Sequence, residues 1–137
     1  MSSMSDYLEN EFIKHVFRTG SFTKPTTLHF ALFTAAPSDS GGGTEVSGNA
    51  YARVSVTPSD ANFDATSGTD GATANTAAIT FPAPSGGNWG TVTHMAVFDA
   101  GAVGNMLMHG ALDTSRVISD GDAAPVFSAG AFTFTFA

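Results

Sequence analysis

The chain has 137 residues, a formal net charge of −7, only five Lys plus Arg and no cysteine. So few cations argue against direct nucleic-acid binding, which rests on neutralising phosphates, and against adsorption to anionic membranes. The missing thiols exclude disulfides, zinc–thiolate sites and cysteine nucleophiles.

Residues 1–4 read as a loose tail. Asp6 to Glu9 fits a capping box, with Asp6 as N-cap and Glu9 three residues later. Leu8, Phe12 and Val16 then recur at four-residue spacing, joined by Ile13 and Phe17, which gives a helix over about 6–19 with one apolar face. Glu9 and Glu11 lie early and Lys14, His15 and Arg18 late, as the helix dipole favours. Gly20 is the expected C′ stop. This helix covers an open end of the sandwich or packs on a neighbouring molecule.

Beyond Gly20 the period changes from helical to strand. Leu28, Phe30 and Leu32 fall on one face of a buried strand, and His29, Ala31 and Phe33 on the other. Pro37 ends it, and 38–50 has the composition of a flexible loop. Tyr51–Thr57 is the next strand, and 59–73 a long loop with a short strand near Phe63. Further strands are expected over Ala74–Phe81 and over Trp89–Asp99. The latter places Val92, His94, Ala96 and Phe98 on one face. A turn at 100–104 returns Asn105–Leu112 as a hairpin partner. A short strand over Thr114–Ile118 and the clean alternation of Phe132–Phe136 complete the chain. Short strands parted by Gly, Pro, Ser and Asp turns predict an all-β protein. The expected form is an antiparallel β-sandwich or jelly-roll-like barrel (about 26–137) with one N-terminal α-helix, all in a single domain, 1–137.

Chemistry is sparse. His94 and His109 sit on the two arms of a hairpin and share a face if they pair directly, but a metal would need further ligands, with Asp99 or Asp113 the nearest candidates. Gly41-Gly42-Gly43-Thr44 lacks the lysine and helix of a phosphate loop. Asp120 and Asp122 lack the distal Glu of an EF-hand. No Ser lies in a Gly-x-Ser-x-Gly elbow. The expectation is therefore no catalytic residue, no metal and no cofactor. Arg53 and Arg116 are scarce cations, so each should have a specific partner: a salt bridge to Glu45, Asp99 or Asp113, or a contact between subunits. Trp89 is a core anchor at a strand start or an interface anchor.

The segments LHFALFTAAPSDSGGGTEVSG (28–48), NAYARV (49–54), AITFP (78–82), WGTVTHMAVFD (89–99) and LMHGAL (107–112) occur in this order along nearly the whole chain. In that arrangement the sequence resembles a family of small virion proteins of tailed bacteriophages, of the tail-fibre-like or capsid-decoration type. The resemblance implies a virion structural protein that works by binding. Charged residues are 12% of the chain, against about 25% in ordinary soluble domains, so part of the surface is expected to lie against other copies or another protein. The leading expectation is a capsid decoration (cement) protein on the capsid surface. It would be made in the host cytoplasm, form a homo-oligomer such as a trimer, and stabilise the lattice of the major capsid protein by binding it. The alternative is a tail, baseplate or tail-fibre component. Candidate interface residues are Tyr7, Phe12 and Phe17 on the helix, Glu45 in the 38–50 loop, and Arg53 and Arg116. A receptor-binding version of the tail component would expose aromatic and hydroxyl residues in loops for glycans, whereas these aromatics sit mostly in strands; a lectin-like sugar binder is a separate alternative.

Overall fold

The computed structural model describes residues 2–136. The chain runs β1 (Ser2–Met4), α1 (Asp6–Phe17), β2 (Leu28–Ala35), β3 (Thr44–Glu45), β4 (Val54–Val56), β5 (Ala72–Ala74), β6 (Ile79–Thr80), β7 (Gly90–Phe98), β8 (Met106–Ile118), β9 (Val126–Phe127) and β10 (Thr133–Thr135). One antiparallel sheet has the order β1-β8-β7-β2, with β3 and β4 both on the far side of β2. The pairs β10–β5 and β6–β9 form two short ribbons. The architecture is mostly β and antiparallel with one N-terminal helix, as the alternation predicts. Among the described residues no sheet closes into a barrel.

The two faces of the sheet differ sharply. On one, Phe30, Leu32, Val92, Met95 and Val97 meet the ribbons and the segments around them, which supply Ile79, Phe81, Phe127, Phe132 and Phe134. Phe30 is fully buried and lies 5.5 Å from Phe132 and 6.0 Å from Phe134 by ring centroid. Trp89 is buried at this end of the core, edge-on to Tyr51 at 5.2 Å, and its Nε1–H donates to the Asn49 carbonyl. It is a core anchor. The opposite face carries a smaller cluster of Ala31, Phe33, Ala96 and Met106 beside Phe98. The alternation of β2 therefore places its side chains as the sequence predicts.

β7 departs from prediction. Val92 does not share a face with His94 but joins Met95 and Val97 in the larger core. A register shift between Val92 and His94 separates them: the partner on β8 moves from Ala111 to Arg116 while β7 steps back only from His94 to Val92. The extra residues of β8 bulge outward, and a bulge re-aims the side chains beyond it. The same shift merges the two segments expected over 105–112 and 114–118 into one strand. His109 pairs with Ala96, and His94 with Ala111. The two histidines thus share a face two positions apart, and direct pairing does not occur.

Other boundaries also move. Residues 2–4 are not a loose tail but an edge strand, with Ser3 opposite His109. The Ser2 hydroxyl accepts from the Thr135 N–H at 3.2 Å, so the last strand lies beside the first. Ser5, not Asp6, caps the helix, because its Oγ accepts from the Leu8 N–H. The Ser5 N–H and hydroxyl also donate to the carbonyls of Leu107 and Met106. The helix ends at Phe17 instead of about 19, with Arg18 as an extended C-cap. Gly20 has no positive φ; its hydrogen leaves room for Lys14, whose Cβ would stand 2.9 Å from a Cβ there. The span Ala74–Phe81 divides between two ribbons, because Asn75 turns inward. Its amide donates to the carbonyls of Ala77 and Ser128 and accepts from the Phe132 N–H. The strand predicted over 51–57 shortens to Val54–Val56, and Phe63 makes a single bridge to Asn75.

Ser5 is buried and joins the helix to β8, so Ser5→Ala removes the cap and leaves the Met106 carbonyl without that donor. A loss of about 1–3 kcal/mol is expected, read as a lower urea midpoint, with Ser3→Ala on the exposed side of β1 close to neutral.

Candidate interaction site

The second face of the sheet is covered by loops and the helix start instead of a second sheet, and a groove of about 550 Å³ opens there. Its floor is Phe33 and Phe98, whose rings lie nearly parallel (7°) with centroids 6.4 Å apart. One wall is the start of α1, residues Ser5–Tyr7. A second is the Asp39–Gly43 turn, a third is Glu45 with Arg53, and Val103–Met106 close the rim.

Arg53 fixes the third wall. Its Nε and Nη2 donate to the two oxygens of Glu45, each at 2.8 Å. Nη1 donates to the carbonyls of Ala100 (2.8 Å) and Val103 (2.9 Å). The guanidinium lies 3.7 Å from the centre of the Phe98 ring. Its side chain is 7% exposed, so this cation is held by partners of its own chain. The Tyr51 hydroxyl extends the cluster, donating to Glu45 and accepting from the Leu32 N–H, both at 3.0 Å. Burial, with the Glu45 carboxylate alongside, holds the Tyr51 phenol well above the usual tyrosine range.

The Gly41–Gly43 stretch is an ordered turn. Ser38 and Gly41 exchange backbone hydrogen bonds, and Asp39 is held by the Asp6 N–H on its carbonyl and by His109 Nε2 on its carboxylate, 2.8 Å away. Gly43 has φ +74°, and a Cβ there would lie 2.7 Å from the Ala35 carbonyl oxygen. On the opposite rim, Asp99 accepts from both the backbone and the side-chain amide of Asn105. Val103 has φ +54° and is 85% exposed. A left-handed conformation costs a residue bearing a Cβ about 1–2 kcal/mol, and here it aims the Val103 carbonyl at Arg53 and its side chain at solvent.

The six residues singled out from the sequence fall in three places. Tyr7, Glu45 and Arg53 line the groove. Phe12 and Phe17 belong to the other half of α1. Phe12 packs between Phe22 and Phe136 over a wholly apolar cleft of about 280 Å³. Phe17 is 82% exposed, with Val16 (63%) and Ile13 (51%) beside it. Arg116 lies at the far end of β8, its guanidinium 4.2 Å from the Phe127 ring centre and hydrogen-bonded to the Val126 carbonyl. Sequence reasoning missed the groove's floor and the strained Val103; the floor could have been found from the face that Phe33 shares with His29 and Ala31. Among the described residues no cluster of His, Asp or Glu is arranged to hold a metal ion.

The arrangement offers surfaces for contact rather than groups poised for a reaction. A family model described as podophage GP4 fiber I protein gp80 matches residues 3–135. The chain belongs to this family. It is a phage fibre protein, a structural component of the virion and not an enzyme. A search of curated proteins returns no match. Membership supports a place in the tail or its fibres better than the capsid-decoration role expected first.

Two predictions follow from the Arg53 cluster. Arg53→Met leaves Glu45 without its cation and should cost about 3–5 kcal/mol, as when a buried pair loses one member. Arg53→Lys should recover only part of this in urea denaturation, since one ammonium cannot reproduce the planar fork. For Tyr51, an unfolded tyrosine ionises near pH 10, while the folded phenol keeps its proton to higher pH. Above about pH 10 the native state then binds more protons than the unfolded one, so stability present below that pH falls as pH rises. The melting temperature should drop more steeply there in the parent than in Tyr51→Phe.

Proposed function

We propose that this protein is a building block of the phage tail–fibre apparatus, present in several copies and acting as one unit through its surfaces. The family match over nearly the whole chain carries this reading. It is supported by large apolar side chains that the chain leaves uncovered, above all Phe17 and Val103. Exposed apolar groups on a chain with little charge favour burial against another molecule. The other contacts of this unit are with neighbouring tail proteins, or with the host surface when the fibre engages it.

Gold-labelled antibody on intact particles, read by electron microscopy, tests the location. Label at the tail or its fibres is the expected result. Label spread over the head would overturn it in favour of decoration of the major capsid protein lattice, and unlabelled particles would remove the protein from the virion.

A further inference from the structure

The charges of the chain are segregated along it. No carboxylate lies between Glu11 and Asp39, and that interval holds Lys14, Arg18 and Lys24, three of the five cations in the protein. The other two, Arg53 and Arg116, are turned onto partners of their own chain. Lys14 is paired with Glu11 at 2.8 Å, so the positive charge at the C-terminal end of α1 rests on Arg18, beside the exposed Phe17, Val16 and Ile13.

The groove has the opposite character. Asp6 and Asp39 stand on its walls, and Asp39 is more than half exposed. Its floor is aromatic and its rim carries the exposed, strained Val103. Arg53 is the only Lys or Arg on its lining, and it is engaged by Glu45 and two carbonyls.

These complementary surfaces lie at opposite ends of one helix. Twelve residues of α-helix are about 18 Å long, so Phe17 cannot reach the groove of its own chain. We propose that the groove is the seat of a second copy's helix end: Phe17 enters over Phe33 and Phe98, with Arg18 facing Asp6 and the partly exposed Asp39, which His109 also holds. The contact is heterologous, joining two different patches. Repeated, it generates a closed ring if the rotation between copies closes and a filament if it does not. This deepens the self-association in the function proposed above and rests on that part of it. Val103 also gains a role: its side chain meets nothing its own chain requires, and it would lie against the incoming helix.

Sedimentation of the full-length chain over a range of concentrations tests the proposal. The parent should associate, and less so near 1 M salt, where the screening length is about 3 Å. Phe17→Ser, Arg18→Glu, Asp6→Lys and Val103→Asn should each weaken association by about tenfold or more, or about 1.4 kcal/mol. The double variant Asp6→Lys/Arg18→Glu should restore it, because the swapped charges again attract. Val103→Asn should melt no lower than the parent, since asparagine tolerates the left-handed region; lost association in that variant is then not lost folding. A monomer at every concentration would overturn the proposal. So would association that survives Phe17→Ser. Association sensitive to Phe17→Ser but indifferent to Asp6→Lys and Val103→Asn would also overturn it, by placing two helix ends against each other. A monomeric protein found by antibody at the tail would refute this contact while leaving the fibre assignment standing.

Discussion

The guanidinium of Arg53 is the constraint on which the functional face depends. Three separate parts of the chain converge on it: Glu45 from β3, the carbonyls of the 99–105 turn, and the ring of Phe98 at the end of β7. A nearly buried cation must have such partners, because its desolvation is offset only when the charge is paired and its donors are engaged. The fork geometry of arginine satisfies a carboxylate and two carbonyls at once. The turn therefore cannot relax away from β3, and Val103 is held in a conformation that a β-branched residue rarely adopts. One wall and part of the rim of the groove follow from this single side chain.

The sandwich is uneven. Its larger core is a chain of phenylalanine rings between the sheet and the short ribbons, with Phe30, Phe132, Phe127 and Phe81 in successive contact. Its other face has only a thin apolar layer, and that layer is roofed by the start of the helix and the 38–43 turn instead of by a second sheet. Stability thus resides on one side of the main sheet, and recognisable binding features on the other. The helix bridges the two: Leu8 belongs to the larger core, and Tyr7 both packs against that core and lines the groove. This division of labour suits a structural subunit, which must keep one surface free for neighbours without weakening its own core.

Much of the fold was legible because β2 and most of β7 obey a two-residue period, and a strand half in contact with each of two layers must alternate. What could not be read was decided by distant partners. The polar run Ser2–Met4 carries no alternation, and its strand conformation comes from the edge of β8. Ser5 and Asp6 are both good caps in isolation; the carbonyls of Met106 and Leu107 select Ser5. The bulge opposite Val92 leaves no local mark, and the break within 74–81 comes from the inward amide of Asn75, two of whose three partners, Ser128 and Phe132, lie more than 50 residues away. The Glu45–Arg53 pair was among the partners weighed from the sequence because cations are so scarce, whereas the groove beside it is assembled from five separated stretches and has no signature in any of them.

The hydrogen bond between Ser2 and Thr135 sets the mechanical behaviour of the molecule. Because the first and last strands lie side by side, tension applied between residues 2 and 135 does not stretch the sheet along its length. It falls first on that contact and then on β1, which is paired with β8 over three residues and parts from it one rung at a time. Load on β1 reaches the β2–β7–β8 centre only through these three outer rungs, so they limit the force it receives from that end. A subunit anchored at both ends would act as a compliant link of low initial resistance, whereas pulling on the helix end and the far tip of the β7–β8 hairpin would strain the long strands in shear, with many hydrogen bonds resisting together.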